Sequence, residues 1–241
     1  PKFQHKSKCS VKISLYIIAA VLVSIIGWYL VIVLRPVPPP PARTPQRETP
    51  KKVSWKRNEI ATVDSAVFDI ASGDVQSIGV NNLYVTTISS KIYQISNVNQ
   101  GDWRDEMIFQ GGDSMRFIAV EDARGDGKER IYAGNTNGTL YEISYDIDEY
   151  EWRAQTIYTG TNAIWGLVIG TVGDDSRARL YFSAQDGYVH SLQYTQGTWE
   201  EDVVGDFGTN TIIWSLALGD GRGDGVSRLY ASSFDGHIYE F

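Results

Sequence analysis

Along this chain hydrophobic and polar positions follow three successive patterns. From Ile13 to Leu34 the run ISLYIIAAVLVSIIGWYLVIVL holds 22 residues without a charge, bounded by Lys12 and Arg35. At ~1.5 Å of rise per residue, about 20 residues cross the ~30 Å hydrocarbon core of a bilayer, so the run predicts a transmembrane helix. A cleaved signal peptide has only ~7–15 apolar residues, which favours a retained anchor here. Residues 35–52 then show no apolar periodicity and carry seven prolines from Pro36 to Pro50. Such a segment adopts extended polyproline II at ~3.1 Å per residue and acts as a semi-rigid spacer. From residue 53 onward the pattern changes to short, β-rich apolar runs, and no proline follows Pro50, as expected where paired strands use every backbone N–H.

The third region repeats. Tryptophans stand at Trp55, Trp103, Trp152 and Trp199, separated by 48, 49 and 47 residues. A second register agrees with the first: an aliphatic residue and a tyrosine recur at Leu83-Tyr84, Ile131-Tyr132, Leu180-Tyr181 and Leu229-Tyr230. Seven residues after each aliphatic comes a turn residue: Ser90, Gly138, Gly187 or Gly236. Asn137-Gly138, Asp186-Gly187 and Asp235-Gly236 predict two-residue type I′ hairpin turns, whereas Ser89-Ser90 predicts a looser one. An apolar run precedes each hairpin and a Trp-led strand follows it, so each period holds the four strands of a propeller blade. The predicted fold is therefore all-β: a four-repeat β-propeller of about 48 residues per blade after a single transmembrane α-helix. The last repeat stops one strand short at HIYEF, and WKRNEIATVD at 55–64 stands alone before the first. That N-terminal strand is expected to complete the last blade and close the ring, which removes two exposed edges. A second reading pairs two chains into an eight-bladed ring, a homo-oligomer. The domain boundaries that follow are a basic tail at 1–12, the helix at 13–34, the linker at 35–52 and the propeller at 53–241.

With these repeats the region 53–241 resembles the propellers of the quinoprotein-like, FG-GAP-like and WD-repeat families. LYxxxxDGxIYxF is similar to the quinoprotein-like repeat, and GDGRGDGVSRLY at 219–230 to the FG-GAP repeat. The resemblance is to a style of repeat and implies a fold rather than a function. In FG-GAP-like repeats an aspartate-rich loop can hold calcium. Here Asp122 and Asp126, and again Asp220 and Asp224, take the first and fifth places of such loops, but Arg124 and Arg222 occupy the third. A cation where a carboxylate ligand belongs opposes calcium, so these loops are read as arginine-braced turns and no metal is expected.

Charge narrows the partners. The first 52 residues hold nine of the 22 basic residues and one of the 29 acidic ones, leaving 13 against 28 and a net charge of −15 over 53–241. Such a domain repels phosphate backbones, which excludes nucleic acid, and it favours basic partners. The single cysteine, Cys9, rules out an intrachain disulfide, a thiolate nucleophile in the propeller and a Cys/His zinc site there. Only His190 and His237 fall in the propeller, and no strand-turn-helix nucleophile elbow precedes a candidate serine. The chain is therefore not expected to be an enzyme, nor to carry a cofactor.

Binding is easier to support. Aligning the innermost strands places Phe68, Arg116, Trp165 and Trp214 at one equivalent position, near the end where each strand enters from the preceding loop. Such a row either wedges between blades or stacks on a sugar or a partner's side chain at the propeller mouth. The function expected from anchor, spacer and row is a non-catalytic, membrane-anchored interaction scaffold or accessory subunit that docks on other membrane or surface proteins. A carbohydrate-binding surface module is the alternative, and a propeller enzyme the third reading. Four lysines precede the helix, and Arg35, Arg43 and Arg47 follow it, a slight bias toward a cytoplasmic N-terminus and an extracytoplasmic propeller. Protease added to intact cells or sealed vesicles is then expected to cut the linker between Pro36 and Lys52 and release the propeller. Cutting only after lysis would reverse this orientation.

Overall fold

Each of the four periods folds into one antiparallel sheet, and the four sheets form a β-propeller arrangement. The computed structural model describes residues 54–99, 101–209 and 211–241, so the basic tail, the 13–34 helix and the 35–52 linker expected from the sequence lie outside the described residues. Among the described residues no helix is long and apolar enough to cross a membrane. The first blade contains β1 (Val67–Gly73), β2 (Asn82–Thr87), β3 (Lys91–Asn97) and β4 (Trp103–Gln110). The second contains β5 (Met115–Glu121), β6 (Arg130–Asn135), β7 (Thr139–Asp146) and β8 (Glu151–Thr159), and the third β9 (Ile164–Gly170), β10 (Arg179–Ala184), β11 (Tyr188–Thr195) and β12 (Thr198–Asp206). The fourth has three strands: β13 (Ile213–Gly219), β14 (Arg228–Ser233) and β15 (Ile238–Glu240). Strands within each blade pair in chain order, because short loops join antiparallel neighbours.

The core lies between blades. A sheet whose strands alternate apolar and polar residues needs a second layer to cover its apolar face, and here that layer is the next blade. Tyr84, Ile92 and Ile108 of the first blade pack on Met115, Ile118, Ile131 and Ile143 of the second. The same arrangement recurs between the second and third blades around Tyr132, Leu140, Ile164 and Leu180, and between the third and fourth around Tyr181, Val189, Ile213 and Leu229. Fully burying one such side chain contributes about 1.5–3 kcal/mol. Edge-on aromatic pairs reinforce two of these junctions, Tyr84 on Trp152 at 6.1 Å and Tyr132 on Trp199 at 5.8 Å.

Three expectations from the sequence are corrected. The hairpins are not type I′, because only the glycine of each Asn-Gly or Asp-Gly pair takes a positive φ (Gly138 90°, Gly187 85°, Gly236 90°). The N–H of Gly138 instead bonds back to the Asn135 carbonyl, closing a four-residue turn whose last residue is left-handed. The first repeat uses the same turn with Ser90 at φ 67°, so it is no looser. Glycine suits the position doubly at 138, where a Cβ would stand 2.7 Å from the Asn162 carbonyl oxygen.

The second correction concerns closure. Residues 54–64 form no strand, and the fourth blade keeps three strands. Ala61 and Val63 instead pack on Val85, Tyr93 and Ile95 of the first blade, where Asp64 pairs with Lys91. The charged stretch Lys56–Glu59 is exposed, which leaves little apolar surface to draw this segment into a sheet. The inner strands pack β1 on β5, β5 on β9 and β9 on β13, and no comparable contact joins β13 to β1.

The aspartate loops are held by the chain's own donors. Asp122 accepts from the N–H groups of Asp126 (3.1 Å) and Gly127 (2.6 Å), and Asp220 does the same for Asp224 (3.1 Å) and Gly225 (2.7 Å). The brace is not the third-place arginine expected from the sequence. Arg130 forks onto Asp126 at 2.9 and 2.7 Å, and Arg228 onto Asp224 at 2.8 and 2.7 Å, while Arg124 turns inward to the buried carboxylate of Glu142. Hydrogen bonding to Arg130 holds the Asp126 carboxyl down at about 2. A depressed folded-state value gives stabilisation that is full above the unfolded carboxyl's ~4 and is lost as pH falls through the folded value. Asp126→Asn is therefore expected to flatten the acid limb of thermal stability between about pH 4 and pH 2 relative to the parent. An acid limb unchanged by the substitution would mean that the fork contributes nothing to folding.

Candidate binding site on the inner-strand bulges

Inner strands alternate side chains between two faces until their second residue, where each ladder slips. In the first blade Val67 pairs with Thr87 and Asp69 with Thr86, so Phe68 is the extra residue of a β-bulge. Arg116 is skipped in the same way between Met115 and Phe117, Trp165 between Ile164 and Gly166, and Trp214 between Ile213 and Ser215. A bulge leaves one residue unpaired and re-aims its side chain. The residues before these bulges show the effect: Met115, Ile164 and Ile213 are buried in the junctions, whereas none of the four bulged residues belongs to a junction core.

The structure brings all four predicted residues into one stack. The Arg116 guanidinium carbon lies 5.1 Å from the ring centroid of Phe68 and 4.7 Å from that of Trp165. Trp165 and Trp214 meet edge to face at 4.5 Å, and Trp214 reaches Phe234 at 6.0 Å. Phe234, at 72% exposure, extends the row and was missed in the sequence because it follows β14 rather than lying on an inner strand. Phe68 is 43% and Trp214 39% exposed, while Arg116 and Trp165 are half-buried. Rings wedged between blades would be buried like Tyr84 or Phe182, and these are not.

Arg116 has no carboxylate partner among the described residues. Asp69 bonds instead to the N–H groups of Ile70 (2.8 Å) and Ile118 (3.1 Å), and Asp113 to the Asn137 amide (2.7 Å). The guanidinium is held by two aromatic faces, with its Nε buried and unbonded, and the Trp165 indole N–H is likewise buried without an acceptor. The terminal guanidinium nitrogens of Arg116, unlike its buried Nε, can take an acceptor together with an apolar or sugar face on the two accessible rings. No cluster of three or more potential metal-ligating side chains occurs among the described residues.

The histidines do not form a second site. His190 is buried against Phe182, and its two ring nitrogens face Glu201 at 2.8 Å and Asp186 at 3.2 Å. With both nitrogens engaged by carboxylates, neither is left to take a proton from a substrate. His237 lies on the exposed turn of the last hairpin, beside Asp235. No protein-family model and no curated protein matches this sequence.

The packing separates two roles for the row by stability. Large buried aromatics cost about 3–5 kcal/mol when cut to alanine. The double substitution Trp165→Ala with Trp214→Ala is expected to cost less than one such residue, about 2 kcal/mol or below, in denaturant unfolding. A loss of 6 kcal/mol or more, on the order of two buried rings, would make them core wedges and withdraw the row as a site.

Proposed function

We propose that this chain is a non-catalytic interaction module, a scaffold or accessory subunit whose propeller docks on a partner protein through the bulge row. One observation carries the reading: four inner strands spend a bulge each on presenting Phe68, Arg116, Trp165 and Trp214 as a continuous, half-exposed stack around an unpaired guanidinium. A cation flattened between aromatic faces supplies donors in a fixed geometry at low entropic cost, which suits the carbonyls or carboxylates of a partner. The net charge of −15 over 53–241 raises the encounter rate with partners whose wider surface is basic. In this reading the 13–34 segment anchors the chain in a membrane, the proline-rich spacer holds the propeller clear of it, and the propeller faces outside the cytoplasm.

A glycan is the second reading, favoured by the exposed faces of Phe68 and Trp214, on which a sugar ring can stack. Detergent extraction of the whole chain, followed by identification of co-purifying proteins, tests the first reading when wild type and Arg116→Met are run side by side. A partner retained by wild type and reduced at least tenfold by Arg116→Met, a loss of ~1.4 kcal/mol at equal thermal stability, supports docking at the row. Equal recovery with both chains would remove Arg116 from the interface. Glycan binding that is lost in the same variant without any protein partner would favour the second reading.

A further inference from the structure

The four blades make three junctions, and the two faces left over are the two halves of a fourth. Each inner strand places one residue against the blade before it: Met115, Ile164 and Ile213 do so and are buried. Val67 holds the same position in the first blade and is 49% exposed. Three residues on, Ile118 and Leu216 are buried, whereas Ile70 is 57% exposed. The opposite face behaves likewise. The third strand of each blade points an aliphatic residue at the blade after it, and Ile92, Leu140 and Val189 are buried there. Ile238 is their equivalent in the fourth blade and is 80% exposed.

The ring pairs are divided in the same way. Tyr84 and Tyr132 each meet a tryptophan of the following blade edge-on. Among the described residues Tyr230, the fourth blade's equivalent, and Trp103, the first blade's tryptophan, belong to no such pair, and neither does Tyr181, whose following blade has no Trp-led strand. The outer strand is matched too. In the first junction Ile108 and Phe109 of β4 pack beside Tyr141, Ile143 and Trp152. Ala61 and Val63 sit beside Tyr93, Ile95 and Trp103, the equivalent positions of the first blade. The segment 57–64 thus already occupies the place of a fourth strand of a preceding blade, but no strand is paired with it, and β15 has a free edge.

We propose that these faces mate between two copies of this chain: the fourth blade of each copy docks on the first blade and the 57–64 segment of the other. The complementarity is that of a junction the chain builds three times within itself. The occupant is a second copy rather than the chain's own far end, because three packed junctions fix where the fourth blade stands, and β13 makes no contact with β1 like those that join the other inner strands. A head-to-tail contact formed twice closes into a ring, here of eight blades, with no edge left exposed. Tyr230 would then meet the partner copy's tryptophan at position 103, and β15 would gain an outer strand. The proposal rests on the fold and not on the bulge row.

Cross-linking of the full chain in mild detergent tests it, in a Cys9→Ser background that removes the only cysteine. Chains carrying Val67→Cys and Ile238→Cys, with tags of different size, are co-expressed and treated with a short bis-maleimide. A product containing both tags is expected, at least tenfold above that from either variant alone and from an Asp148→Cys and Ile238→Cys pair, which places one thiol on the exposed β7–β8 turn. Adding Ile70→Asp, a substitution at an exposed position, is expected to abolish the product without lowering the melting temperature. An intrachain link in the Val67→Cys, Ile238→Cys double variant that replaces the two-tag product would overturn the proposal in favour of closure within one chain. Equal yields with the Asp148 control, or no product at all, would overturn it as well.

Discussion

Burial between blades is the constraint on which everything else in this domain depends. A single four-stranded sheet of these residues has no interior: Ile131, Leu140, Ile164 and Leu180 reach zero exposure only because a neighbouring sheet covers them. Sheets of small area bury too little apolar surface to offset their ordering entropy alone, so the unit of stability is the junction and not the blade. The repeated Leu-Tyr and Ile-Tyr pairs follow from this. In the two middle blades the aliphatic residue packs toward one neighbour and the tyrosine toward the other, as Ile131 and Tyr132 and again Leu180 and Tyr181 do.

Two bulges in each of the first three blades, and one in the fourth, adapt flat strands to that geometry. On the outer edge the ladder slips at Ile108, Ile157 and Val204, and in the first two blades this turns two successive apolar residues, Ile108-Phe109 and Ile157-Tyr158, toward the same junction. On the inner edge the slip at Phe68, Arg116, Trp165 and Trp214 does the reverse, releasing a side chain from the junction alternation so that it points along the row. The packing that stabilises the propeller and the exposed row are therefore separated by one residue.

Charge is used sparingly and locally. The buried Glu142 accepts from Arg124 (2.8 Å), Tyr132 (3.3 Å) and Gln155 (2.9 Å), so its carboxylate is compensated by donors from its own blade. Arg124 continues across the junction to the ring of Tyr194 at 4.2 Å and donates to its hydroxyl at 3.1 Å. Its equivalent, Arg222, pairs with Glu240 but stands at the free face of the fourth blade with no tyrosine ahead of it. The same device is thus internal in one blade and exposed in another, according to whether a neighbour follows.

The sequence by itself determined the period, the strands and the candidate row. Tryptophan spacing, the aliphatic-tyrosine pairs and the turn glycines are local signals, set by backbone φ and by a two-residue alternation that any strand must satisfy. The alignment of Phe68, Arg116, Trp165 and Trp214 followed from the repeat alone, because equivalent positions in equivalent strands occupy equivalent places. Tertiary structure decided what depends on distant partners. The bulges leave no mark in the residue pattern, since they arise from how two strands pair and not from either strand's composition. Arg130 and Arg228, rather than Arg124 and Arg222, brace the aspartates because the strand that follows the loop aims them back at it. The guanidinium of Arg116 went to two rings instead of Asp69 or Asp113, whose lone pairs are taken by N–H groups. The segment at 55–64 has the tryptophan of an outer strand and still forms none, because a strand needs an edge to pair with and this segment rests side-on against the first blade through Ala61 and Val63.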